Sequence, residues 1–192
     1  MMSPFEYIVV LISIILGMGI TQLLSGIAGM VLRWNGLKTY WPHAVLIGLT
    51  FILHIQDWWA TWGLQSIKLW YLPLFLFIIL YPVNLYILTR ILFPMRWTGT
   101  PVDLKEFYFA NFRKIYLFLI FLPVHAILSN YFVSGFSLRS QVLQFALAII
   151  LIGFVLSNRR EEWIHKLLAI LFLAICIVTF AADWNAFLIV NP

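Results

Sequence analysis

The chain has 192 residues, of which 64% are hydrophobic and 10% charged. That leaves too little polar surface to cover a water-soluble globule, so an integral membrane protein is expected. The net charge of +5 calls for no nucleic-acid partner, because the basic residues fall where anionic lipid headgroups would meet them.

The apolar runs are continuous for about 20 residues, whereas barrel strands would alternate polar and apolar over roughly 10. The expected fold is therefore all-α, a single polytopic membrane helix bundle of six spans. The first span runs over 5–32 and ends at the polar break Arg33-Trp34-Asn35-Gly36-Leu37-Lys38; the second covers 41–62. The third, 69–93, contains Pro82, but its flanks stay apolar, which predicts a kinked helix rather than a stop. Pro94 and Gly99 open the longest polar loop. The fourth span, 107–133, is preceded by Asp103 and Glu106, whose Asp-x-x-Glu spacing predicts a helix cap with the glutamate reaching back to the cap amide. The fifth covers 138–156 and the sixth 163–189, joined by the charged turn 157–162.

Lys and Arg alternate between the loops. Arg33, Lys38, Arg90, Arg96, Lys105, Arg113, Lys114, Arg159, Arg160 and Lys166 fall on one side, and only Lys68 and Arg139 on the other. Retention of short basic loops in the cytoplasm predicts both termini outside. Tryptophans mark the same boundaries, with Trp58, Trp59, Trp62, Trp70 and Trp184 outside and Trp34, Trp41, Trp97 and Trp163 inside. Met1–Tyr7 carries no basic residue and the run after it is longer than a signal-peptide core, so the first helix is expected to stay. The one cysteine, Cys176, excludes an intrachain disulfide and a thiol-rich metal site.

Gly17, Thr21, Ser25 and Gly29 form a small-residue stripe at i+4 spacing on the first helix. Such a stripe lets another backbone approach, either within the monomer or across a homo-oligomer interface. Once the orientation is set, Glu6, Asp57 and Asp183 all fall in the outer half, with His54 and His125 at similar depth and Gln22 and Asn84 near mid-membrane. His54 and Asp57, three residues apart, share a helical face. Ionisable groups at that depth point to an outward-opening polar pocket and a ligand, proton or ion pathway. A plainer reading is that carboxylates beside Trp58, Trp59 and Trp184 are simply wetted, or paired with Lys68 and Arg139.

His54 and His125 on different helices could also hold haem b as opposing axial ligands, although neither has the same-helix partner expected of stacked haems. There is no tight metal-ligand spacing, phosphate-binding glycine loop or nucleophile elbow, so no catalytic residue is assigned and an enzyme is not expected. Tyr81-Pro82-Val83-Asn84 and Leu122-Pro123-Val124-His125 share a Pro-Val-polar pattern. In a three-plus-three duplication they would occupy non-equivalent places, which reads as coincidence.

The run Phe5-Glu6-Tyr7 with 11–26 resembles the opening of a family of small, uncharacterised bacterial six-helix membrane proteins. Trp41-Pro42-His43, Trp58-Trp59 and Tyr81-Pro82 look like its later landmarks. The resemblance implies a bacterial inner membrane and brings no activity. The expected function is that of a small transporter, channel or ligand-binding membrane component surrounded by membrane lipids. The alternatives are a non-catalytic oligomeric scaffold and a haem or quinone redox protein.

Overall fold

The computed structural model describes residues 3–94 and 102–183, apart from the side chains of Phe180, Ala182 and Asp183. Six helices follow one another: α1 Pro4–Leu32, α2 Trp41–Ala60, α3 Leu72–Ile91, α4 Leu104–Phe132, α5 Val142–Ser157 and α6 Glu162–Asp183. Each, with any adjoining 3-10 turn, is long and apolar enough to cross a membrane. The remainder of the expected sixth span, 184–189, lies outside the described residues, as do Trp97 and Trp184.

Local chemistry explains the boundaries. α1 starts in a full capping box: Glu6 N–H donates to Ser3 Oγ at 3.1 Å and Ser3 N–H donates to Glu6 Oε2 at 2.6 Å, with Pro4 in the first turn. At α4, Asp103 Oδ1 accepts from the amides of Lys105 and Glu106 at 2.9 and 3.0 Å. The return bond expected from Glu106 is not formed; Asp103 belongs to a short parallel strand pair, β1 Leu37–Lys38 with β2 Val102–Asp103. α2 ends in a 3-10 segment over Thr61–Ser66, and α5 is preceded by one over Leu138–Gln141. Asn158 stops α5 in the left-handed conformation at φ 48°, a conformation that Asn tolerates better than most residues. α3 runs unbroken through Pro82 and α4 through Pro123.

All six helices contribute to the core, with Leu46 and Ile47 from α2, Leu151 and Phe154 from α5, and Leu168 and Phe172 from α6. Ile8, Ile12, Leu16, Gly19, Leu23 and Gly26 form the buried face of α1, at three- and four-residue steps that keep one stripe against a neighbouring helix. Leu85 and Leu88 of α3, Leu92 just after it, and Tyr108, Ile115 and Tyr116 of α4 pack in the same core. The outward surface is also apolar, with Leu11, Ile14, Met18, Leu143, Ile149, Leu156, Ile170 and Ile177 exposed. A solvent of acyl chains accommodates such a surface.

Among the described residues, no helix packs on the Gly17, Thr21 and Ser25 part of the small-residue stripe. Gly17, Thr21 and Ser25 are exposed and Gly29 half-buried, and nothing approaches within 4 Å of a methyl placed on Gly17. Thr21 Oγ1 donates to Gly17 O and Ser25 Oγ to Thr21 O, each at 2.8 Å, so the stripe satisfies its own hydroxyls. Close approach happens instead at Gly19 and Gly26. A methyl on Gly26 would lie 2.5–2.6 Å from carbons of the Phe93 ring, and one on Gly19 would collide with the His54 imidazole.

Candidate functional site

α2 turns His54 inward against Gly19 of α1, where it is fully buried. Its Nδ1 lies 2.7 Å from Thr50 O. A carbonyl can only accept, so Nδ1 carries the hydrogen and a neutral Nε2 is left as an acceptor. Among the described residues that atom is buried and has no partner. One turn further along α2, Asp57 Oδ2 is also buried without a partner. Two acceptors that meet no donor therefore lie within one turn of one helix, an arrangement that costs free energy unless something donates to them. Gln22 is half-buried one turn beyond Gly19 on α1.

α2 packs against α3, which carries Tyr81. The Tyr81 ring lies 5.4 Å from that of His125 on α4. His125 stacks on Phe77 at 4.4 Å and donates from Nε2 to Phe77 O at 2.8 Å. Asn84 of α3 donates in the opposite direction, from Nδ2 to Phe118 O at 3.0 Å. Gln56 reaches Thr179 of α6 at 3.5 Å. Asp183 ends α6, but its side chain lies outside the described residues.

The Pro-Val-polar likeness thus has a geometric basis. Each polar residue stands two positions after a proline and donates to a carbonyl five positions before the proline of the other helix. Proline removes one helical donor and its ring opens the preceding turn, and the neighbouring helix supplies a donor to that turn. Antiparallel α3 and α4 exchange this favour. Asn84 and His125 are consequently ties between helices, whereas His54 and Asp57 keep unused acceptors. The arrangement does not suit a bis-histidine haem: His125 Nε2 is occupied by Phe77 O, and Gly19 closes directly over His54 Nε2.

A second polar cluster, at the basic-loop end, was not anticipated. His165 of α6 donates from Nε2 to Arg159 O at 3.1 Å, which leaves Nδ1 to accept the Tyr108 hydroxyl at 2.7 Å. The Tyr116 hydroxyl is 3.2 Å beyond. His43 Nε2 donates to Leu92 O at 2.8 Å, and Tyr40 lies 5.2 Å from Tyr108 ring to ring. Burial, with the charge of Glu162 adding, pushes the Tyr40 phenol up to about 12. Above the cluster Glu162 pairs with Lys105 at 2.6 Å and Lys166 at 2.9 Å, and Lys38 with Asp103 at 3.8 Å. These contacts tie three basic segments together. The signal available in sequence was four tyrosine or histidine residues within a few positions of helix starts, which read equally well as interfacial aromatics.

Among the described residues no group of three or more His, Cys, Asp or Glu side chains is placed to hold a metal ion. No family model, curated protein or solved structure matches the chain.

Proposed function

We propose that this multi-pass membrane protein is a small transporter, channel or ligand-binding component whose His54–Asp57 layer takes up a proton or a small cationic, hydrogen-bond-donating ligand. One observation carries the reading: two buried acceptor atoms one turn apart on α2, neither meeting a donor among the described residues. In this scheme Asp57 supplies the countercharge and accepts the ligand's hydrogen bond, His54 Nε2 beside Gly19 takes a proton, and Tyr81, 5.4 Å from His125 ring to ring, borders the site. Gln22 and Asn84 border the site near mid-membrane, and Asp183 belongs to the scheme by its depth. The ten-to-two division of Lys and Arg supports both termini outside and the basic loops cytoplasmic, so that the site is reached from outside; the bacterial inner membrane rests on the resemblance of the N-terminal run alone.

The test is uptake in proteoliposomes carrying an internal pH dye or a monovalent-cation indicator under an imposed gradient. Wild type is expected to exceed empty liposomes and Asp57→Asn to fall back to their level. Flux that Asp57→Asn leaves unchanged would remove the assignment. It would favour a second reading, an oligomeric scaffold, for which the outward-facing Gly17, Thr21 and Ser25 offer a close-packing surface.

A further inference from the structure

We propose that the cleft between the start of α1 and the 3-10 segment after α2 binds the headgroup of a zwitterionic phospholipid. The cleft holds about 490 Å³ and is lined by Ser3, Glu6, Trp62, Gln65, Lys68 and Trp70 among others, within the range of small-molecule sites. It presents both signs of charge without cancelling them. Among the described residues neither Glu6 nor Lys68 makes an ion pair, and Glu6 uses one oxygen on the Ser3 amide, leaving the other available. The indole N–H groups of Trp62 and Trp70 are buried without acceptors. A phosphate supplies acceptors for Lys68 and, after small side-chain adjustments, for these indoles; an ammonium group a few atoms away suits the carboxylate and the indole faces. A purely anionic headgroup would set its charge against Glu6, and a purely cationic one against Lys68.

The lipid, rather than a soluble zwitterion, is favoured by what lies next to the cleft. The same end of α1 borders an apolar groove of about 460 Å³, lined by Tyr7, Ile8, Val10, Leu11, Ile14 and Phe75, with the dimensions and chemistry for an acyl chain. Tryptophans at a helix end also sit at headgroup level.

Native mass spectrometry of the full chain in detergent, with equal concentrations of palmitoyl-oleoyl phosphatidylethanolamine, palmitoyl-oleoyl phosphatidylglycerol or free phosphoethanolamine, tests this. The ethanolamine lipid is expected to be retained several-fold more than the glycerol lipid, and Lys68→Gln and Glu6→Gln should each erase that preference. Glu6→Gln keeps an amide oxygen for the cap and Lys68 is exposed, so both variants should melt as wild type does. Equal retention of the two lipids, or a preference that survives both substitutions, would overturn the proposal. Retention of phosphoethanolamine as strong as that of its lipid would overturn the lipid assignment in favour of a soluble zwitterion.

Discussion

Gly19→Ala and Gly26→Ala are expected to destabilise the bundle by about 1–3 kcal/mol each, the usual cost of forcing an extra methyl into a filled core. At Gly26 the new carbon would meet the face of Phe93, itself buried at the end of α3. At Gly19 it would meet the His54 ring, which cannot swing away without giving up its bond to Thr50 O. Gly17→Ala is the control. Nothing lies within 4 Å of its added methyl, and alanine is the better helix former by up to about 1 kcal/mol. Thermal or denaturant unfolding in one detergent, followed by tryptophan fluorescence, compares the three. A loss at Gly17 as large as that at Gly19 would mean that the wrong face of α1 has been placed inward. The Gly19→Ala loss should also shrink when His54→Ala is added, since the two groups occupy the same space.

Asn84→Leu and His125→Leu should each cost about 0.5–1.5 kcal/mol, because each removes a hydrogen bond from a part-buried backbone carbonyl across the α3–α4 crossing. Interhelical bonds in membrane bundles average about 0.6 kcal/mol and reach about 1.7 kcal/mol, which brackets the expected loss. The informative quantity is the double variant. Both bonds span the one α3–α4 crossing, and losing either lets the helices separate beside the other. The double loss is therefore expected to fall short of the sum by at least about 0.5 kcal/mol. Strict additivity, or single variants as stable as wild type, would mean that the two bonds do not act as a pair.

The spans were legible because length and hydropathy separate bilayer from water, and the tryptophans and Asp103 marked the ends independently. Boundaries moved where a helix tightened to 3-10, at Thr61 and before Val142, and by two or three residues at both ends of α3 and at the start of α4. Which face of α1 packs was not legible, for a physical reason: in lipid the outward residues Leu11, Ile14 and Met18 are as apolar as the inward Ile12, Leu16 and Leu23. Hydrophobic patterning then gives no contrast. The i+4 stripe from Gly17 was the more regular pattern, yet Gly19 and Gly26 make the contacts. At the site, the His54–Asp57 relation followed from helical spacing alone, as did the depth of His125 and Asn84. The part played by Tyr81 and the Tyr108–His165 cluster did not, because they depend on which helices are neighbours, a relation that single-chain periodicity leaves open.

The outward-facing site rests on one premise, that the His54–Asp57 layer lies in the half of the membrane away from the cytoplasm. Cys176 is the single cysteine, so a Cys176→Ser background gives a blank chain in which Ser66→Cys and Asn158→Cys, both at exposed positions, report the two ends. Labelling of intact spheroplasts with a membrane-impermeant maleimide is expected to modify Ser66→Cys directly and Asn158→Cys only after permeabilisation. The reverse pattern would place the basic loops outside and the acceptor pair on the cytoplasmic side, contradicting the proposed access route.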